Sequence, residues 1–331
     1  MGVVADRIVF EWPGGSQAVP TCASIDLLTT ALNAGIPIPH SCRRSDCLKC
    51  SAFVIASEDA ALRPGSRIDL CQTVTAYSGV FELVSNPFDA NEAAKFYPAK
   101  VEELTEVARD TVLLRLRTPR NQAIAFEGGQ YASIILGSGL ARSYSIASIE
   151  VERRLIDFYI RLVPGGQFSD WLSSRASVGE MLRLRAPLGG FHFRSQPAEK
   201  TVFIATGTGI VPIYAILNSL KAAEVLNSGA AQLIWGNRTR SDLFLEAEID
   251  AICDQLCISP IKVFSRDGSL NPSRVTDVLR EMDLNSAAIY AAGNPSMVRD
   301  IGKLCQLKGV NPRFVHSDAF TFDQAFVGGL A

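Results

Sequence analysis

Short apolar alternations separated by polar turns run through most of the chain, and their texture changes twice. Residues 7–12 (RIVFEW) and the run SAFVIA from Ser51 read as strands. Between them, ASIDLLTTALNAG reads as a helix: Leu28, Ala31 and Leu32 share one face, Ser24 is placed to cap it and Gly35 to end it. This first group ends near Val84. Residues 85–100 (SNPFDANEAAKFYPAK) are polar, hold two prolines and predict a linker. TVLLRLR, QYASIIL, RSYSIAS, LIDFYIRLV and EMLRLRAP then alternate with a period of two. In LIDFYIRLV, Ile156, Phe158, Ile160 and Leu162 face one way, and Asp157, Tyr159 and Arg161 the other. Short strands at this spacing, broken by Gly and Pro turns, predict an antiparallel barrel. From residue 200, KTVFIA, AQLIWG, IKVFSR and AAIYAA are apolar runs with helical patterns between them, which predicts a parallel sheet with helices on both faces. A last helix begins near Ser296, with Met297, Ile301, Leu304 and Cys305 near one face and Gly309 at its end.

A chain of 331 residues predicts two or three domains, and 47% apolar with 20% charged residues is ordinary globular composition. The net charge of −2 gives no reason to expect nucleic acid or an anionic membrane as partner. No apolar run approaches membrane-spanning length, and MGVVADRIVF has no basic segment followed by an apolar one. The expectation is a cytoplasmic monomer.

Three of the eight cysteines fall within nine positions of SCRRSDCLKC, as C-x4-C-x2-C, and Cys71 follows at a distance. In a reducing compartment such a cluster predicts a metal site rather than disulfides. Cys42, Cys47, Cys50 and Cys71 together have the spacing that suits a [2Fe–2S] cluster. A zinc site is the competing reading, but such sites more often pair two C-x2-C units, and one is present. Cys22 is expected in the core. Cys253 and Cys257, four apart on a predicted helix, are expected to pack. His40, His192 and His316 are isolated and given no catalytic role. Arg43-Arg44 either steers an acidic partner toward the cluster or is a solvated loop.

The cysteine segment resembles plant-type ferredoxins, which implies a β-grasp domain over residues 1–88. Two features depart from that family. Ser45 stands where the family has a glycine, and only twenty residues separate Cys50 from Cys71. Further on, Arg142-Ser143-Tyr144-Ser145, with GGQY upstream, resembles the R-x-Y-S motif of the ferredoxin–NADP reductase superfamily. The resemblance implies an antiparallel β-barrel FAD domain over 96–195. There Arg142 meets the flavin pyrophosphate, Tyr144 packs on the ring and Ser145 bonds near its reactive nitrogen. Gly166 and Ser169, in VPGGQFSDWL, offer an amide and a hydroxyl to phosphate, and APLGGF matches a closing turn with Ala186 for Gly.

KTVFIATGTGIVP resembles that superfamily's G-G-T-G-x-x-P, with Thr206 for the first Gly. This implies an α/β nucleotide domain over 198–331, with Gly207, Thr208, Gly209 and Pro212 at the pyrophosphate. WGNRTRSDLF brings in Arg238. AAGNPSMV brings in Gly293, Asn294 and Met297, with Ala292 where the family has Cys. HSDAF resembles a terminal strand that passes the flavin, which places Phe320 with Tyr144 and Ser145 at the reacting ring.

Taken over nearly the whole chain, the resemblance is to three-domain reductases of bacterial oxygenases and to CDP-6-deoxy-glucoseen reductases. It implies an NAD(P)H-dependent flavin iron–sulfur oxidoreductase that delivers single electrons to a partner protein, either an oxygenase component or a sugar dehydratase. NADH is the expected donor. Ser265-Arg266 resembles a 2′-phosphate-binding pair, so NADPH stays open. A redox-sensing binding protein with little turnover is the reading from another class, motivated by Ser45, Thr206 and Ala292.

Overall fold

The computed structural model describes residues 7–40, 43, 45, 49–84, 94–120, 124–150, 154–194, 198–223, 231–267 and 273–320. Cys42, Cys47 and Arg44 lie outside them. The chain divides into two compact units, Met1–Ala93 and Ala94–Ala331.

The first unit is a five-stranded sheet in the order β2-β1-β5-β3-β4. Its strands are β1 (Arg7–Trp12), β2 (Gly15–Pro20), β3 (Ser51–Ser57), β4 (Arg67–Asp69) and β5 (Gly79–Leu83). β1 and β5 run parallel, and the other pairs are antiparallel. Helix α1 (Leu27–Asn33) buries Leu27, Leu28 and Ala31 in one cluster with Ile8, Phe10 and Phe81. Asp26, not Ser24, caps this helix: its carboxylate accepts the Thr29 amide at 2.8 Å. Gly35, with φ +81°, ends it as expected. The Leu27 amide donates to Thr73 O at 2.8 Å, so the helix braces the short turn Leu70–Gln72 that carries Cys71.

The second unit opens with a seven-stranded antiparallel barrel in the order β10-β11-β7-β6-β12-β8-β9. The strands are β6 (Lys95–Ala108), β7 (Thr111–Arg117), β8 (Tyr131–Ile135), β9 (Ala141–Ser145), β10 (Ser148–Glu150), β11 (Leu155–Arg161) and β12 (Met181–Leu188). Ile156, Phe158 and Ile160 fill its core with Leu114, Leu116 and Leu184. Residues 95–100 are therefore strand, not linker. Tyr97, Ala99 and Val101 point inward between exposed Phe96, Pro98 and Lys100. Pro98 fits because β7 pairs with β6 only from Lys100 onward, leaving that edge without a ladder.

A five-stranded parallel sheet follows, in the order β15-β14-β13-β16-β17. Its strands are β13 (Lys200–Thr206), β14 (Ala231–Asn237), β15 (Ser259–Phe264), β16 (Ala287–Gly293) and β17 (Val315–Ala319). Helix α2 (Gln167–Ser174) belongs to the barrel, and α3 (Ile210–Ala223), α4 (Glu246–Gln255), α5 (Val275–Glu281) and α6 (Pro295–Leu307) to the sheet. Barrel and sheet pack closely: a Cβ on Gly128 would lie 2.3 Å from Ala215 O, which no larger residue permits. The Tyr159 ring of the barrel stacks on Phe244 at 5.3 Å.

Candidate active site

On β9 the register sets Arg142 opposite Ile134, Tyr144 opposite Ala132 and Ser145 opposite Tyr131. Arg142 and Tyr144 therefore share a face, with exposed Ser143 on the other. The Tyr144 ring packs on Phe168 at 5.0 Å, and Phe168 packs on Trp171 at 5.1 Å. Burial raises the Tyr144 phenol well above its ordinary range, and the Arg142 charge opposes this only partly. The hydroxyl stays neutral, so the residue presents an apolar aromatic face. Arg142 Nη1 donates to Ala141 O at 2.7 Å.

Gly166 caps α2, but its amide donates to Val163 O at 2.9 Å, closing a turn rather than pointing outward. Ser169 Oγ accepts the Val163 amide at 2.9 Å, which leaves its hydroxyl hydrogen to donate. Gln130 belongs to this region although sequence reasoning passed over it. It is buried, accepts the Glu127 amide at 2.8 Å and donates to Gly189 O at 3.1 Å, tying β8 to the turn after β12. Its place in GGQY was the available signal.

The second cluster gathers at the C-terminal ends of the parallel strands, where open α/β sheets bind ligands. β13 runs into Gly207-Thr208-Gly209, and Pro212 sits in the first turn of α3. A Cβ on Gly209 would lie 2.1 Å from Ala292 O, and one on Gly293 2.4 Å from Thr206 Oγ1. Thr206 Oγ1 also accepts the Asn294 amide at 3.3 Å. Asn294 caps α6 by accepting the Ser296 amide at 2.8 Å, with Met297 buried in the first turn. The Phe320 amide donates to Gly293 O at 2.8 Å, which brings the last described residue to the same edge. Arg238 is exposed beyond β14. Its carbonyl accepts the Arg266 amide at 2.7 Å, and Asn237 O accepts that of Ser265 at 3.0 Å.

Arg161 was not singled out from sequence. It ends β11, and Asp110 holds it through Nε at 3.0 Å and Nη2 at 2.7 Å. A Cβ on Gly207 would lie 3.7 Å from Arg161 Nη1. A barrel cation thus stands at the glycine turn of the sheet.

In the first unit Cys50 and Cys71 are both buried, and the Leu70 amide donates to Cys50 O at 3.0 Å. Arg43 and Ser45 take positive φ, 51° and 59°. Ser45 thus holds the left-handed backbone for which a glycine is the usual choice. Gln72 Nε2 donates to Arg43 O at 2.8 Å, tying this loop to the Cys71 turn. Burial lowers the Arg67 guanidinium, while Asp69 and Cys50 raise it.

Cys253 packs in the core as expected, and the expectations for Cys22, Cys257 and His192 change. Cys22 is half-exposed rather than core, because its thiol turns to Ser24 Oγ at 3.3 Å; the Ser24 side chain and amide lower its pKa. Cys257 lies past the end of α4 with φ 54° and is exposed, whereas Cys253 is buried and its thiol is pushed up to about 12 by burial. His192 is not isolated: its Nδ1 lies 2.7 Å from Glu127. His316 is buried against Tyr290, with ring centroids 4.7 Å apart.

Residues 98–193 match the oxidoreductase FAD-binding domain family, and residues 203–303 the oxidoreductase NAD-binding domain family. The chain is 30% identical over 321 residues to the terephthalate 1,2-dioxygenase reductase component 2 of Comamonas sp, covering 92% of this chain and 94% of that protein. It is 29% identical to protein RfbI of Salmonella typhimurium, covering 89% and 91% of the two. The Amycolatopsis cytochrome P450 reductase GcoB has the same fold, with a TM-score of 0.67 at 24% identity over 95% of this chain and 98% of that one. The flavin-type motif on β9, the glycine turn after β13 and these likenesses agree, and the chain belongs to the family of FAD- and NAD-binding reductase components, as an NAD(P)H-dependent electron-transfer oxidoreductase.

Proposed function

We propose that this reductase takes reducing equivalents from NADH and passes electrons singly to an oxygenase component, with FAD held in a barrel domain (96–195), the nucleotide in a sheet domain (198–331) and a [2Fe–2S] cluster in an N-terminal ferredoxin domain of β-grasp fold (1–88). One observation carries the reading. Arg161 belongs to the barrel yet reaches the Gly207 turn of the sheet, so the nucleotide is gripped where barrel and sheet meet. Hydride transfer between two bound ligands requires that convergence.

The residues fit these groups. Among the described residues, a Cβ on Gly207 would meet only Arg161 Nη1 within 4 Å, which leaves room for a phosphate under a cation. Gly207, Thr208 and Gly209 bring backbone to the pyrophosphate. Thr206, Gly293 and Asn294 fix the facing strand end, Met297 packs below, and Phe320, tied to Gly293 O, stands at the same edge with Tyr144 and Ser145 as its partners at the reacting ring. Arg142 offers its guanidinium to the flavin pyrophosphate. Tyr144 covers one ring face with an uncharged phenol, and Ser145 supplies a hydroxyl at its edge. Gln130 and Ser169 hold these strands in place.

Cys50 and Cys71 supply two thiolates that already lie on hydrogen-bonded neighbours, and Cys42 and Cys47 complete the set. Ser45 holds the left-handed backbone of the loop whose cysteines would carry the cluster. When bound, the flavin accepts a hydride and the cluster releases electrons one at a time. The free thiols of Cys253, Cys257 and Cys305 suit a reducing, cytoplasmic setting.

RSYSIAS and HSDAF also suit a donor to an iron–sulfur sugar dehydratase; that reading keeps the same site and changes only the acceptor. Anaerobic titration tests the proposal. NADH should bleach the flavin absorbance in stoichiometric amount, and the cluster should then give a rhombic EPR signal. Zinc in place of iron would refute the cluster. A higher kcat/KM for NADPH would reverse the donor and turn attention to Ser265, Arg266 and Arg238.

A further inference from the structure

Strand register gathers a cationic, partly apolar surface on the outside of the barrel. Side chains directly opposite in an antiparallel pair share a face. Arg185 stands opposite Phe96 on one side and Ser133 on the other; Arg183 stands between Pro98 and Ile135; Met181 faces Lys100. Phe96 is 52% exposed and Met181 59%. The Arg183 guanidinium lies over the Phe96 ring, 4.9 Å from its centroid, and holds that ring against the strands. Lys100, Arg183 and Arg185 are all exposed.

Among the described residues, no carboxylate lies on these rows. Of the neighbouring acids, Glu103 pairs with Arg115 at 2.8 Å and Glu180 accepts from Trp171 Nε1 at 3.3 Å, while Glu102, paired with Arg117 at 2.7 Å, also attracts Lys100 and leaves Arg183 and Arg185 as the principal charges of the face. Three cations thus surround an exposed aromatic ring and a methionine, in a chain whose net charge is −2. Isolated exposed apolar residues are ordinary, but arginine, aromatic and methionine side chains in one patch are the composition of recognition surfaces.

We propose that the outer face of β6 and β12 docks an acidic surface of the protein that accepts this reductase's electrons, with Phe96 and Met181 as the apolar contact and Lys100, Arg183 and Arg185 as the steering charges. The inference rests on the electron-transfer reading above. It adds a docking surface to the barrel: Arg142 and Tyr144 of the flavin motif face the opposite side of β9, and Ser145, on the same side as Ser143, lies at the Tyr131 end beyond these rows.

The test uses the full-length holoenzyme with an acidic soluble [2Fe–2S] ferredoxin as probe, and ferricyanide as a small acceptor that needs no docking. In low salt the wild type should bind the immobilised ferredoxin, and added salt should weaken that binding. In Arg183→Glu/Arg185→Glu, KM for the ferredoxin should rise roughly 10-fold and its salt dependence should flatten, with ferricyanide turnover unchanged. Lys100→Gln, a milder change on the same rows, should move KM in the same direction if the double variant folds poorly. Unchanged KM in both variants, or no salt-sensitive binding by the wild type, overturns the proposal. So does a fall in kcat that is independent of ferredoxin concentration, which would put the chain's own first unit on this face. Loss of binding to anionic phospholipid vesicles with no change in ferredoxin KM would assign the face to lipid and overturn it too. Failure of NADH to drive ferricyanide reduction in the wild type would instead strike the electron-transfer reading itself.

Discussion

Replacing Arg161 with alanine removes the cation that the barrel contributes to the nucleotide site. Two interactions are lost at once. The first is the pair with Asp110, held at 2.7 Å with side chains 32% and 36% exposed. A pair this open to solvent contributes about 0.2–1 kcal/mol to stability, so the variant should fold. The second is the Nη1 group beside Gly207, which Asp110 does not occupy. A hydrogen bond from a charged donor to a phosphate is worth about 1.5–3 kcal/mol, and partial exposure favours the lower end. At about 1.4 kcal/mol per tenfold, KM for NADH should rise roughly 10-fold.

The assay is NADH-driven ferricyanide reduction, which draws on the flavin without a protein acceptor. The rise should be confined to KM, because the bond to phosphate is the same before and during hydride transfer. Asp110→Asn gives the finer check. It keeps the arginine but loosens its anchor, so KM should rise by only ~3-fold. Equal KM values in Arg161→Ala and wild type would show that the nucleotide does not cross the Gly207 turn. A fall in kcat at unchanged KM would place Arg161 at the reacting atoms instead, and the geometry drawn here would be wrong.

Arg142→Ala should lose FAD on gel filtration, since a charged hydrogen bond to the pyrophosphate, about 1.5–3 kcal/mol, disappears; full occupancy would mislocate the flavin site. Cys47→Ser should lose most of its iron while keeping its flavin, as read by metal analysis beside the visible spectrum. A fragment beginning at Ala94, where the second unit starts, should still reduce ferricyanide but fail with the protein acceptor; equal rates with that acceptor would remove the cluster from the path.

The barrel and sheet were legible because their core side chains answer to a local rule. Ile156, Phe158 and Ile160 are apolar at a period of two and all lie in the core. Gly309 ends a helix whose inner face was already apolar, and it takes φ +72°. What was not legible depends on partners distant in sequence. Ser24 reads as the cap until the fold brings the Thr29 amide to the Asp26 carboxylate instead. Pro98 reads as a linker signal until β7 is seen to stop short of it. Arg161 looks like any outward strand residue; only the pairing with Asp110 and the approach of the Gly207 turn give it a role. Gln130 likewise acquires meaning only when Gly189 is folded back onto it.

The departures from family pattern bear on whether the chain turns over or only senses. At Thr206 the structure favours turnover. Its hydroxyl accepts the Asn294 amide at 3.3 Å, and it faces Gly293, whose missing Cβ would have come within 2.4 Å of it. The larger residue and the small one are matched, so the strand ends that flank the nucleotide are tied together rather than disrupted. Ser45 holds its left-handed backbone at a cost of about 1 kcal/mol, which affects stability more than chemistry. Ala292 is fully buried, and its carbonyl lies where a Cβ on Gly209 would fall, 2.1 Å away. It fills its place without holding the glycine turn apart. Thr206→Gly should therefore lower stability by about 1 kcal/mol through the lost bond and the freer backbone. Ferricyanide turnover should stay within a few-fold of wild type, because the hydroxyl serves the frame and not the reacting atoms. A wild-type chain that binds FAD and NADH tightly yet reduces ferricyanide negligibly would reverse this conclusion and make the protein a sensor.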